Sequence, residues 1–166
     1  MMIRNAVISD AEQLMRLTQQ VERESPFMMY EANERQISAD KQKRMIEDLT
    51  SVENSTIFVA EVDHGLVGYL LAIGGSSNKT KHSAYIVVGI LQEFQGKGIG
   101  TALFNELDRW AKGKLHRLEL TVITENSAGI NLYQKAGFKK EGTKKHSIYM
   151  DGKYVDEYYM SKLLEG

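Results

Sequence analysis

The chain has 166 residues, 42% of them hydrophobic, with a formal net charge of −1 and a pI near 6.4. That length suits one domain spanning residues 1–166 with a substantial core, and the near-neutral balance gives no bulk electrostatic reason to expect nucleic acid or an anionic membrane as partner. The lack of cysteine excludes a disulfide, a thiolate nucleophile and a thiolate metal site.

The first residues carry no apolar signal core, and no apolar run approaches the roughly 20 residues that cross a bilayer. The expectation is a soluble cytoplasmic protein. Ile3 to Ile8 reads as an opening strand. Ser9 and Glu12 have capping-box spacing, and Leu14, Leu17 and Val21 follow at helical intervals. Ser25-Pro26 ends that helix, because proline disfavours helix in the residue before it. Ser38 is placed to cap a second helix carrying Met45, Ile46 and Leu49.

The period then changes. Thr56 to Val62 and Leu66 to Ile73 are β-branched, apolar runs around the turn residues Asp63-His64-Gly65. A third strand covers Ser83 to Leu91, and Gly89 within it is read as a bulge. Thr101 to Lys112 is helical, Arg117 to Thr124 a strand, and Ala128 to Lys135 a helix closed by Gly137. Two last strands, Lys144 to Met150 and Lys153 to Leu163, meet at the hairpin signal Asp151-Gly152. The order of elements is that of a mixed α/β (α+β) domain.

Gln95-Gly96-Lys97-Gly98-Ile99-Gly100 lies between a strand and a helix. Such a turn is an anion site, since unpaired N–H groups of the first helical turn and the helix dipole both face the ligand. Three phosphate-binding patterns compete for it. The dinucleotide fingerprint needs a further glycine where Thr101 or Leu103 stands, and Glu119 lies inside a strand rather than at its end. A Walker-type loop needs Ser or Thr after Gly-Lys, where Gly98 stands.

The remaining pattern, Gln/Arg-x-x-Gly-x-Gly/Ala, resembles the acetyl-CoA loop of the GNAT superfamily of N-acetyltransferases. Phe94 before it, and Asn126, Ala128, Leu132-Tyr133, Lys135 and Gly137-Phe138 after it, match further family positions. The element order fits from about Ile3 to Leu164. The resemblance implies a central twisted, mostly antiparallel sheet with a splayed parallel strand pair and helices on both faces. It implies acetyl-CoA as co-substrate, no metal, and direct acetyl transfer to a primary amine of a small molecule or protein. A monomer or homodimer fits it. A catalytically silent coenzyme A-binding sensor is the alternative.

Carried over residue by residue, the backbone of Gln95, Gly96, Lys97, Gly98, Ile99, Gly100 and Thr101 holds the pyrophosphate. Val88, Gly89 and Ile90 line the splay that takes the pantetheine arm, with an N–H near Ile90 as oxyanion donor. Asn126 either caps the next helix or reaches the pantetheine, with Ala128 beside it. Lys135, and less so Lys139 and Lys140, lie toward the 3′-phosphate. Tyr133 is the general acid for the departing thiolate, against ordinary aromatic packing.

The base is open. The strand before the loop holds no carboxylate, only Tyr85 with His82 beside it, so a carboxylate acting through water, Glu22, Glu24, Glu31 or Glu34, is the alternative. His64, His116 and His146 lack paired metal-ligand spacing. Phe27-Met28-Met29-Tyr30 reads as core rather than as a wall of the acceptor site, and Tyr154, Tyr158 and Tyr159 as lining for that site or a dimer contact.

Overall fold

The computed structural model describes residues 1–165. In chain order the elements are β1 (Met2–Asn5), α1 (Ala11–Glu24), α2 (Ala39–Thr50), β2 (Thr56–Val62), β3 (Gly65–Gly74), β4 (Ser83–Ile90), α3 (Ile99–Ala111), β5 (Arg117–Ile123), α4 (Ser127–Lys135), β6 (Lys139–Met150) and β7 (Lys153–Leu163). The strands form one sheet in the order β1-β2-β3-β4-β5-β7-β6. Every neighbouring pair is antiparallel except β4 with β5. The expected sheet with one parallel pair is therefore present.

Alternation along the strands divides the core between the two faces, as a period of two requires. Phe58, Leu70, Ile86 and Leu118 face α3 with Leu103, Phe104 and Leu107. Ile57, Val59, Tyr69 and Leu71 face α1 and α2 with Leu14, Leu17, Val21 and Ile46. Each fully buried Leu, Ile or Phe here contributes about 1.5–3 kcal/mol of transfer free energy. Helices thus cover both faces.

The turns follow their residues. Asp63 and His64 adopt positive φ of 49° and 67° between β2 and β3, and Asp151 and Gly152 adopt 51° and 74° between β6 and β7. Both are two-residue hairpin turns whose twist matches the strands. Ser38 caps α2 as expected, its Oγ accepting the Lys41 N–H at 3.2 Å.

Four expectations are corrected. Ser9 and Glu12 make no capping box, and β1 ends at Asn5 rather than Ile8. Asp10 takes over that entry, accepting the Val7 N–H at 2.8 Å and both Arg4 terminal nitrogens at 2.8 Å. The ion pair also places an otherwise buried carboxylate beside a cation, which a short-range capping pattern cannot show. β6 begins at Lys139, five residues before the expected Lys144. Its lysine-rich start is exposed on the sheet edge, where charge guards against strand addition, so hydrophobic patterning misses it. Gly89 forms no bulge with β3, since the register runs without a shift from Gly68↔Ile90 to Gly74↔Ala84. The glycine is needed for a different reason: a Cβ there would lie 2.6 Å from Tyr69 Cζ.

Candidate active site

β4 and β5 pair only through Ser83↔Arg117, Ala84↔Leu118 and Tyr85↔Glu119, and then diverge. Leu91 N–H donates to Val67 carbonyl at 3.0 Å and Gly75 N–H to Ser83 carbonyl at 2.9 Å, so the odd-numbered residues of β4 bond to β3. Polar groups alternate sides along an antiparallel ladder, so the N–H groups of Val88 and Ile90 face the opening toward β5. The Ile90 carbonyl is held from that side by Gln95 Nε2 at 3.2 Å. The side chains of Val88 and Ile90 pack in the α3-facing core, so packing and backbone exposure coexist in these residues.

The glycine loop follows a 3-10 turn at Gln92–Phe94. Gly96 and Gly98 have φ of 73° and 84°, conformations that require glycine. Nothing lies within 4 Å of a Cβ built at either, so both face open space. Gly100 is small because of packing: a Cβ there would meet Leu132 Cδ1 and Cδ2 at 2.9 Å. The first hydrogen bond of α3 is Ala102 N–H to Gly98 carbonyl at 3.0 Å. Among the described residues, the N–H groups of Gly96, Lys97, Gly98, Ile99, Gly100 and Thr101 have no protein acceptor. Six consecutive free donors at a helix N-terminus form a cradle for an anion. Lys97 Nζ stands over the Phe94 ring, 5.2 Å from its centre.

Tyr133 lies on α4, with Tyr85 of β4 near its phenol. Its half-buried ring packs edge-on against Phe104 and Phe138, at centroid distances of 5.9 and 6.4 Å. Burial pushes its phenol up to about 12, with Tyr85 adding to the rise. Tyr133 therefore keeps its proton at neutral pH, which a general acid requires. Tyr85 Oη shares a 2.8 Å hydrogen bond with Thr121 Oγ1 of β5, tying the two strands just where they part.

Asn126 caps α4, its Oδ1 accepting the Gly129 N–H at 3.0 Å. Ala128 and Lys135 are exposed on α4. Lys139 lies in β6, and Lys140 Nζ sits 4.2 Å from the Tyr158 ring centre.

The four carboxylates differ sharply in setting. Glu24 is occupied: Oε1 accepts the Gln92 N–H at 2.9 Å and Oε2 the Gln20 amide at 3.1 Å. It ties α1 to the start of the glycine loop. Glu31 and Glu34 are exposed, and Glu34 accepts the Glu31 N–H at 3.3 Å. Glu22 is buried, and Arg35 Nε and Nη2 both donate to its Oε2, at 3.0 and 2.6 Å. His82 stands outside the opening and presents its carbonyl to the His116 and Arg117 N–H groups. Among the described residues no group of three His, Asp or Glu side chains is arranged to hold a metal ion.

The segment Phe27 to Tyr30 is not core as expected. Met28 alone joins the α1-facing core, Met29 is 77% exposed, and Tyr30 lies under the Arg35 guanidinium at 4.4 Å. Tyr154 and Tyr159 are exposed, whereas Tyr158 packs against the α3-facing core. Tyr69 and Arg35 were not singled out by motif. Tyr69 is the one polar side chain in the apolar run of β3, and that is the signal available.

This architecture agrees with known proteins. Residues 17–138 match the acetyltransferase (GNAT) family. The chain is 33% identical over 109 residues to L-amino acid N-acetyltransferase AaaT of Escherichia coli (strain K12), an alignment covering 63% of this chain and 66% of that relative. It is 31% identical to an N-alpha-acetyltransferase of Sulfurisphaera tokodaii, over 96% of this chain and 90% of that one. The crystal structure of a GNAT-family acetyltransferase from Streptococcus pneumoniae superposes with a TM-score of 0.95 at 28% identity, covering 99% of both chains. The chain belongs to the acetyltransferase (GNAT) family, and its relatives support N-acetyltransferase activity.

Proposed function

We propose that the protein transfers an acetyl group from acetyl-CoA to a primary amine by direct attack within a ternary complex. One observation carries this reading. A row of free amides at the start of α3 leads into a strand edge whose Val88 and Ile90 N–H groups are unpaired, and that edge opens beside a protonated Tyr133.

The residues fit the co-substrate part by part. The amides of Gly96 to Thr101 match a doubly charged pyrophosphate, and the open space at Gly96 and Gly98 admits its oxygens. The β4 edge accepts an extended amide-bearing arm as it would accept another strand. Ile90 N–H is the donor for the charge that develops on the thioester oxygen as the amine attacks. As the C–N bond forms and the C–S bond breaks, Tyr133 gives its proton to the departing sulfur. No cysteine exists to carry an acyl-enzyme, so the amine itself is the nucleophile.

The acceptor class follows the relatives, one named an L-amino acid N-acetyltransferase and one an N-alpha-acetyltransferase. Free-thiol release from acetyl-CoA is the test, with a panel of L-amino acids, polyamines and peptides bearing free N-termini. Turnover with any of them supports transfer. Tight coenzyme A binding without turnover across the panel would make the protein a silent binder instead.

A further inference from the structure

Tyr69 takes part in none of the roles above, yet its position is unusual. It belongs to β3, pairs with Gly89 of β4 in register, and is 3% exposed on the face covered by α1. A Cβ built on Gly89 would lie 2.6 Å from Tyr69 Cζ and 2.7 Å from its Oη. The tip of the phenol therefore rests on the Gly89 backbone, between the two residues whose N–H groups face the opening. Its hydroxyl has no hydrogen-bond partner among the described residues, and it is not sealed from solvent as the rest of the ring is. Buried hydroxyls nearly always find a partner, so one left free at the edge of a cleft is a candidate for ligand contact.

Glu22 presents a second such group from the same side. Its side chain is 4% exposed, and both Arg35 hydrogen bonds end on Oε2. Oε1 is left without a partner, again without being sealed. Arg35 is itself braced on the Tyr30 ring, which fixes the carboxylate's orientation. α1 packs on both β3 and β4, so it carries Glu22 to the layer that holds Tyr69. Burial, the Glu22 carboxylate and Tyr133 all raise the Tyr69 phenol, against Arg35, so these groups share one field around the Tyr69 hydroxyl.

We propose that the Tyr69 hydroxyl and the free Glu22 Oε1 together seat the acceptor's ammonium group, with Tyr69 positioning the nitrogen and Glu22 removing its proton. This rests on the acetyl-transfer reading. One ammonium N–H donates to Tyr69 Oη, and a second passes its proton to Glu22 Oε1, leaving a neutral amine above Gly89. The lone pair forms the C–N bond as the C–S bond breaks, and Tyr133 protonates the sulfur. The nitrogen's remaining surplus proton returns to the Tyr133 phenolate. Glu22 then releases its proton to water, so each turnover yields amide, free thiol and one proton. A primary ammonium fits the seat: of its four bonds one N–H meets Tyr69 Oη, one meets Glu22 Oε1, one N–H stays free, and the fourth bond leads to the acceptor's body.

The test compares two nucleophiles in the full-length protein at neutral pH: the best amine of the panel, which is an ammonium in solution, and hydroxylamine, which is already neutral. Glu22→Gln is expected to lower kcat/KM for the ammonium acceptor about 100-fold, the scale of a lost general base, and to leave hydroxylamine within about threefold. Tyr69→Phe keeps the ring and its packing. It is expected to raise KM for the ammonium acceptor about tenfold with KM for acetyl-CoA unchanged. Equal losses with both nucleophiles, or wild-type kinetics in Tyr69→Phe, would overturn the proposal. If Glu22→Gln does not fold, Tyr69→Phe decides by its split between acceptor and acetyl-CoA KM. Failure of the acetyl-transfer reading is separate: it shows as no thiol release in the unaltered protein, and it overturns both.

Discussion

The Tyr69 ring lies over Gly89 so closely that a single methyl group at Gly89 would stand 2.6 Å from its Cζ atom. Both are held by the same β3–β4 ladder, so neither can move without disturbing the strand that borders the opening. Gly89 is thus set by a packed aromatic and not by backbone geometry.

Gly89→Ala is expected to displace Tyr69 and cost about 1–3 kcal/mol, the usual range for overpacking a filled core. Turnover should fall further than stability predicts, because the displaced ring borders Val88 and Ile90. Thermal melts and steady-state kinetics on the same sample measure both effects.

Tyr133→Phe should lower kcat about 100-fold or more while coenzyme A binding, measured by calorimetry, stays as it was. The pH dependence follows from the raised phenol. With a folded value near 12 and an unfolded value near 10, Tyr133 contributes stability that is full below about pH 10 and is lost as the pH climbs to about 12. The acid should therefore not limit turnover between pH 7 and 10. A loss of activity in that window that is abolished in Tyr133→Phe would contradict the assignment.

Two of the loop glycines should fail in different ways. Gly98→Ala forces a side chain into φ of 84° and should cost about 1 kcal/mol or more, with weakened coenzyme A binding. Gly100→Ala instead presses on Leu132, the neighbour of Tyr133 on α4. Its main effect should be on kcat. Calorimetric Kd and kcat for the two variants separate the cases.

Arg117 grips Glu141 with two hydrogen bonds, at 3.0 and 2.6 Å, and joins β5 to β6 across β7. The guanidinium, with help from Ser161, holds the Glu141 carboxyl down at about 2. A lowered value gives stability that is present above the ordinary 4.5 and is lost as pH falls toward 2. Glu141→Gln should therefore show a smaller drop in Tm between pH 5 and pH 2.5 than the unaltered protein. The pair is partly exposed, so the difference should shrink in high salt.

Asp10→Asn removes the charge that accepts from Arg4 and Val7 at 2.8 Å. Hydrogen bonds to a charged group contribute about 1.5–3 kcal/mol, so the variant should lose about 2 kcal/mol in urea unfolding. Ser9→Ala, by contrast, should be neutral.

How much of this was legible depends on the range of the interaction. β2 from Thr56 to Val62 and β7 from Lys153 to Leu163 agree with their hydrophobic patterns residue for residue. The glycine turn with free amides ahead of α3 was legible because such a turn needs particular residues at short spacing. β6 was read short, since its lysines satisfy an exposed edge and carry no apolar period. Glu22 could not be separated from Glu24, Glu31 and Glu34 by sequence. Its burial and its pairing with Arg35, 13 residues away, are made by the fold.

The sequence by itself determined the order of elements, the anion cradle and the candidate acid, because each rests on local periodicity, turn chemistry or a compact motif. Only the tertiary structure decided where β4 leaves β5, why Gly89 has no side chain, and which carboxylate is buried against Arg35 with one oxygen unpaired. Those features join β3, β4, α1 and the segment that carries Arg35. Their cause is long-range packing and the placement of charge in a low-dielectric interior, which no window along the chain contains.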